Sequence, residues 1–346
     1  MAAQMTRGKE TRPITVLQSV RPQTDNDNPY VKQVMTAVAC HAEVAFFSWR
    51  TALFGRYDVL HVHWPEFLLR APERSRGLQY ALFLALILRT ALLRRPVVRT
   101  LHNLAPHEGA GMLERLLLRL LDRRTRMWIR LNAVTAQRPP QTMTILHGHY
   151  RDWFAAMDVP PPQPGRLLYF GLIRPYKGVE DLLDSFLALA PALAPDAELR
   201  IVGRPSTDAL REKVADACAA DARVSALLDY VDDATLAQEI GRAELVVLPF
   251  REMLNSGSML LALSLNRPVL VPRNAPNVAL ADEVGRDWVY LYDGELNAAT
   301  LANALWRVRT TARAPTPNFS HREWADAGEL HYLAYLAAIR GHGRHA

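Results

Sequence analysis

The chain reads as an α/β protein made of two Rossmann-like domains. Three observations predict this. At 346 residues the sequence has room for two domains of ordinary size. Strand-like runs alternate with helical stretches through both halves, which indicates mostly parallel sheets with helical crossovers. A proline-rich segment, Met157–Arg166, can continue neither strand nor helix and separates the two series.

In the first series, Pro13–Val20 is the opening strand and the run EVAFFSW after it is a second. Tyr57–Trp64, Pro96–Asn103 and Thr142–Tyr150 follow as further strands, with helices expected over 78–94 and 112–131. The second series runs RLLYFG, ELRIVG, ALLDYV, AELVVLPF, RPVLVPR and WVYLYDG. The expected domains are therefore 1–160 and 165–320, with a helix over 322–340 that can return to the first.

Composition narrows the class. About half the residues are hydrophobic (49%), so a large core is available and global disorder is excluded. Two cysteines, Cys40 and Cys218, form no disulfide framework or zinc pattern and suit a reducing cytoplasm. The opening segment MAAQMTRGKETRP is polar and does not read as a signal peptide. The net charge of +6 points to an anionic partner. No zinc finger or ribonucleoprotein aromatic motif is present, so nucleic acid is not the expected one.

The chemistry concentrates at strand ends, where open parallel sheets bind ligands. In RLLYFGLIRPYKGVEDLLDSF a strand ends at Gly171, and Arg174 and Lys177 stand between it and an apolar helix. Helix starts favour anions, and two cations there can hold a diphosphate and stabilise its charge as it leaves. The alternative is a pair of solvated surface cations. A second junction follows AELVVLPF, where Asn255, Ser256, Gly257 and Ser258 precede the apolar run from Met259 to Leu265. These residues can cap the helix or contact a phosphate or sugar. Tyr230 and Val231, closing ALLDYV, complete the expected donor-side set. No P-loop or dinucleotide fingerprint follows the first strand, which argues against an ATPase or a dehydrogenase.

In the first half three strands end in histidines: His61 and His63, then His102, then His147 and His149. Glu66, His107 and Glu108 lie in the following loops. A zinc site would need these loops to converge without a dense ligand motif. Hydrogen-bonded core histidines are a second reading, and a polar cleft wall with a general base a third. The expected base is Glu108, then Glu66, then His107, while His102 is expected to contact a donor sugar or phosphate. Asp25, Asn26, Asn28 and Tyr30, in a polar loop, are the acceptor-side candidates.

Two segments bear on a membrane. Leu78–Leu93 is strongly apolar but shorter than the roughly twenty residues of a spanning helix, and Arg89 interrupts it. In the expected helix 112–131, Arg115, Arg119, Arg123, Arg126 and Arg130 recur at helical spacing opposite leucines. Such a helix can lie on anionic lipid or pack on a core with a solvated basic face.

The motifs YDVLHVHWPEFLLR, RTLHNLAPHE, LHGHYRDWF, FGLIRPYKGVE and LALSLNRPVL, in this order, resemble the GT-B glycosyltransferases. More narrowly they resemble the β-mannosyltransferase family of xanthan-type exopolysaccharide synthesis. The resemblance covers nearly the whole chain. It implies a GT-B fold with a cleft between its domains, an acceptor-binding first domain and a nucleotide-sugar-binding second one. It also implies GDP-mannose as donor and a polyprenyl-diphosphate-linked oligosaccharide ending in glucuronic acid as acceptor. The implied location is the cytoplasmic face of the bacterial inner membrane, with peripheral or monotopic attachment through the basic and apolar helices. Where retaining GT-B enzymes with a similar donor domain carry two glutamates, this chain has Met253 and Leu261. That favours an inverting mechanism, and no metal is required if the two cations stabilise the leaving group. The alternatives are another donor sugar or acceptor, or a non-catalytic nucleotide-sugar-binding subunit.

Overall fold

The computed structural model describes residues 12–22, 28–71, 74–102, 111–134, 139, 141–251 and 257–341. They form two compact units. The first holds the chain to Leu131, residues 138–145 and the segment from Trp324 onward; the second holds 132–137 and 146–323.

The first unit contains β1 (Thr15–Gln18), α1 (Pro29–Ala39), β2 (Glu43–Phe46), α2 (Trp49–Phe54), β3 (Val59–Val62), α3 (Pro65–Arg70) and α4 (Arg76–Leu92). Then come β4 (Val97–Leu101), α5 (Met112–Arg124), β5 (Thr125–Arg130) and β6 (Thr142–Thr144). The described strands make one parallel sheet in the order β2-β1-β3-β4-β5-β6. Its central strands are buried on both faces, as continuous runs such as Val59–Val62 require. Polar N-caps start the helices: the Ser48 and Ser75 side chains accept from the backbone N–H groups of Thr51 and Leu78.

The expected helix over 112–131 is corrected. α5 stops at Arg124, and Thr125–Arg130 is a strand paired with β4 and β6. The consecutive apolar residues Met127, Trp128 and Ile129 are buried in the sheet. A run of this kind suits a helix face and a doubly covered strand equally well, and here the sheet's backbone pairing decides. The arginine stripe divides accordingly: Arg115, Arg119 and Arg123 are exposed on α5, whereas Arg126 and Arg130 belong to β5.

The second unit runs α6 (Arg151–Phe154), β7 (Arg166–Phe170), α7 (Val179–Leu187), β8 (Glu198–Val202), α8 (Asp208–Ala220), β9 (Val224–Leu227), α9 (Asp233–Arg242) and β10 (Leu245–Val247). It continues with α10 (Gly257–Ser264), β11 (Val269–Pro272), α11 (Ala275–Val284), β12 (Val289–Tyr292) and α12 (Ala298–Thr310). Its described strands form a second parallel sheet, β12-β11-β10-β7-β8-β9. The proline run lies within this unit. Arg267 donates to the Pro160 carbonyl at 2.9 Å, and Gln163 N–H donates to the Arg242 carbonyl at 2.9 Å. The final helix, α13 (Trp324–Arg340), belongs to the first unit and packs on α1, β4 and β5.

In each sheet the strand order reverses once, between β1 and β3 and between β7 and β10. These switch points open crevices at the carboxyl ends of the strands. At the ends of β7 and β8 in the second sheet, two glycine backbones approach closely. Gly203 has φ +146°, and a β-carbon there would overlap the Gly171 carbonyl oxygen. Gly203→Ala should therefore destabilise the protein by roughly 3 kcal/mol or more, through strain plus overpacking. Denaturant unfolding checks this, and an unchanged midpoint would show that the close approach is dispensable.

Candidate active site

Gly171 directly follows β7, and its φ of +103° is open to glycine at little cost. A β-carbon there would stand 3.6 Å from Lys177 Nζ and 3.7 Å from Ser258 Oγ. Three expected donor residues thus meet at one point, from the end of β7, the turn before α7 and the first turn of α10. Lys177 closes a short 3-10 turn, Pro175–Lys177, whose N-cap is Arg174. Gly178, at φ +66°, then starts α7, where its α-carbon approaches the Pro249 carbonyl.

The two helix starts differ in charge. α7 carries Glu180 and Asp181 in its first turn, and Asp181 is paired with Arg251 at 2.7 Å. α10 has no acid in its first described turn and has Lys177 nearby. An anion is therefore favoured at α10 and opposed at α7, since helix starts and lysine both carry positive charge. Lys177 Nζ lies 4.7 Å from the centre of the Phe250 ring. Burial, aided by Arg174, pulls its pKa down to about 8. Beneath Gly257 sit the Tyr150 hydroxyl and His147 Nε2, 3.3 and 3.8 Å from where a β-carbon would be. Burial pushes His147 down to about 4, and its Nδ1–H donates to the Gly148 carbonyl at 2.8 Å. The ring is therefore neutral, with its lone pair on Nε2.

His147 and His149 lie in this second unit and are not at a strand end of the first, which corrects the expectation, because β6 stops at Thr144. His149 Nε2–H donates to Glu323 at 3.2 Å. Tyr230 is exposed beyond the end of β9, with Val231 beside it ahead of α9. Asn255 and Ser256 lie outside the described residues.

In the first unit the strand ends of β1, β3 and β4 share a buried polar cluster. His61 Nδ1 meets the Tyr335 hydroxyl at 2.9 Å and its Nε2 meets Thr100 Oγ1 at 2.8 Å. Burial, reinforced by His63, His331 and His102, holds His61 well below its ordinary pKa. Burial likewise pushes His63 down to about 3, with His331 adding to the shift. These rings are neutral at physiological pH. His102 is half-buried at the end of β4, stacked on Trp64 with centroids 3.9 Å apart. Among the described residues no group of three or more His, Cys, Asp or Glu side chains could hold a metal.

Glu66 is half-buried in the first turn of α3, within electrostatic reach of Arg99. Burial lowers the Arg99 pKa to about 10 against the opposing pull of Glu66. Asn28 caps α1, accepting from the Tyr30 N–H at 3.0 Å, and Tyr30 is itself buried edge-on to His102. Both therefore have packing roles here. His107, Glu108, Asp25 and Asn26 lie outside the described residues. Sequence reasoning missed Gly203, Tyr150, Trp64 and Gln18. Gly203 had a visible signal, since ELRIVG repeats the strand-then-glycine pattern of RLLYFG.

The Lys177 environment gives a pH dependence. The charged form holds an anion, and that form is populated below about pH 8 in the free protein. Affinity for a nucleoside diphosphate should fall above that pH, by up to roughly tenfold per unit. Calorimetric titration of wild type and Lys177→Met checks this. The variant should bind weakly with no such slope, and the same slope in both would remove Lys177 from the site.

Residues 164–310 match the family described as glycosyl transferases group 1. A GDP-mannose:glycolipid 4-beta-D-mannosyltransferase from Xanthomonas campestris pv. campestris is 53% identical over 336 residues, spanning 97% of this chain and 95% of that protein. Among solved structures, Anabaena Alr3699/HepE in complex with UDP-glucose aligns with a TM-score of 0.58 at 14% identity. That match covers 95% of this chain and 98% of the other. Sucrose-phosphate synthase from Thermosynechococcus elongatus aligns with a TM-score of 0.56 at 15% identity, covering 95% of each chain. The two parallel sheets and these neighbours are those of the GT-B fold, and the chain belongs to the family of the GDP-mannose:glycolipid 4-beta-D-mannosyltransferases, which makes it a glycosyltransferase.

Proposed function

We propose that this enzyme transfers mannose from GDP-mannose to a sugar hydroxyl of a lipid-linked oligosaccharide, forming a β-mannoside. The relative's identity over nearly the full chain carries the reading. The site chemistry supports it. The donor diphosphate sits at the start of α10, over Gly171, with Ser258 and the α10 amides donating to it. Lys177 and Arg174 stabilise the negative charge that collects on it as the bond to the anomeric carbon breaks. With those cations in place the reaction needs no metal. The acceptor oxygen attacks the opposite face of that carbon, so an α-linked donor gives a β-linked product. The acceptor ends in glucuronic acid and is carried on polyprenyl diphosphate; its anionic character suits the net charge of +6.

The first unit's helices supply a lipid-facing surface in this reading. α4 packs against α2, α3 and α5. Leu78, Leu84, Leu88 and Leu92 are exposed along it, with Phe54, Phe67, Met112, Leu113 and Leu116 on the neighbouring helices. Arg89 leaves this surface apolar, because its guanidinium turns inward to the Ala52 and Gly55 carbonyls and lies 4.8 Å from the Tyr57 ring centre. Arg115, Arg119 and Arg123 add positive charge on α5. No helix among the described residues is long and apolar enough to cross a membrane, so the reading is peripheral or monotopic attachment at the cytoplasmic face of the inner membrane.

Two experiments test these statements. Purified protein given GDP-mannose and a panel of lipid-linked oligosaccharides should yield a β-mannoside by NMR, and Arg174→Ala should slow transfer by roughly 2–4 kcal/mol of activation free energy. An α-linked product, or transfer from other nucleotide sugars alone, would contradict the proposal. For the membrane, Arg115, Arg119 and Arg123 contribute about 1 kcal/mol each near anionic lipid. Changing all three to glutamate should weaken vesicle binding at least ~100-fold, and Leu84→Glu with Leu88→Glu should release the protein as well. Unchanged sedimentation of both variants would place the attachment elsewhere.

A further inference from the structure

The second unit has a cleft at the carboxyl ends of β10, β11 and β12, on the edge where this fold class binds ligands. α7 follows β7 and α12 follows β12, with β10 and β11 between those strands, and the two helices pack together. The cleft lies at the starts of these helices and has a volume of about 830 Å³. That is within the size range of small-molecule sites. Its lining includes Asp181, Asp184, Arg251, Tyr292 and Glu295. Gly171, Lys177 and Ser258 do not line it, so it is not the point assigned to the diphosphate.

The walls of the cleft are tied together. Ser185 is buried on α7, and its hydroxyl lies 2.6 Å from the Asp181 carbonyl and 3.0 Å from the Leu296 carbonyl, which joins α7 to the loop before α12. Arg251 Nη2 donates to both Asp181 carboxylate oxygens at 2.7 Å, and its backbone N–H donates to the Tyr176 carbonyl at 3.0 Å. Asp184 is paired with Lys213 at 3.0 Å. Tyr292 is only 8% exposed, yet its hydroxyl has no hydrogen-bond partner among the described residues. Burial and the Asp181 carboxylate push its pKa up to about 12 against the pull of Arg251. The hydroxyl therefore keeps its proton and faces that ion pair, where a molecule in the cleft can satisfy it. The exposed Glu295 carboxylate is within electrostatic reach of Arg251 and has no hydrogen-bond partner among the described residues either.

These groups select a ligand class. Three carboxylates against one arginine in the lining oppose a phosphate or another anion. A cationic ligand would have to compete with Arg251 and Lys213, which already pair with Asp181 and Asp184. A neutral polyol displaces neither. Its hydroxyls donate to carboxylates and accept from guanidinium and phenol, and each does both at once. We propose that this cleft is a carbohydrate-binding site for a neutral pyranose, held by Tyr292, Glu295 and the Asp181–Arg251 pair. It holds the sugar without reacting with it, and it does not depend on the transfer reaction proposed above.

The test is saturation-transfer NMR on the full-length protein with methyl α-D-mannopyranoside and methyl β-D-glucopyranoside. Both should receive saturation from the protein, with and without saturating GDP. The methyl glycoside of glucuronic acid should not, because its carboxylate meets Glu295 and Asp181. Tyr292→Phe removes one oxygen that has no partner, so the fold should stand, and glycoside binding should weaken about fivefold. Glu295→Gln, on an exposed loop, should weaken it by a similar factor. No saturation of either neutral glycoside overturns the proposal. Unchanged affinity in both variants puts the sugar elsewhere and overturns it too. Loss of glycoside binding on addition of GDP places the sugar in the diphosphate site, with the same consequence. Spermidine that displaces both glycosides at lower concentration makes the cleft a cation site and overturns the assignment to carbohydrate.

Discussion

The second unit depends on a place where two strand ends meet without side chains. Gly203, leaving β8, lies so close to the Gly171 carbonyl that no β-carbon fits between them. Gly178 makes a similar approach to Pro249. These contacts bring the turn after β7 and the start of α10 to one point. They also fold the Pro175–Lys177 turn back so that the Lys177 amine lies over Gly171. A lysine held there loses water and becomes easier to deprotonate. An arriving diphosphate restores the lost favourable charge. The backbone geometry thus creates both the space for the anion and the incentive to bind it.

The two units manage charge in opposite ways. In the first, burial keeps His61, His63 and His331 neutral, and their hydrogen bonds are directional. In the second, the acids of α7 are countered by Arg251, while the start of α10 is left for an external anion. Departure of GDP needs stabilised negative charge, and positive charge near that start answers the need.

Much of this was legible in the sequence. Twelve strands form the two sheets among the described residues, and the strand-like runs read from the sequence account for all but β5. That strand was hidden because Met127, Trp128 and Ile129 continue the apolar spacing of α5, and only pairing with β4 and β6 separates them. The proline run looked like a passage between domains, yet Pro160 packs on Arg267 and Gly241 of the second unit. Gly171, Lys177 and Ser258 were visible as a strand, cation and helix pattern. The histidine network was not, because its hub, Tyr335, is 317 residues from Gln18 in sequence. Local spacing cannot report such a contact. Arg89 misled in a similar way: read as an interruption of an apolar helix, it caps α2 from the inside.

The central claim is that the donor diphosphate binds where Gly171, Lys177 and the start of α10 meet. Amide hydrogen exchange of the full-length protein, with and without saturating GDP, tests it most directly. The account predicts slowed exchange across Gly171–Gly178 and at the first amides of α10, with little change at the start of α7 beyond Gly178. Protection confined to the first unit, or to the acidic first turn of α7, would contradict it.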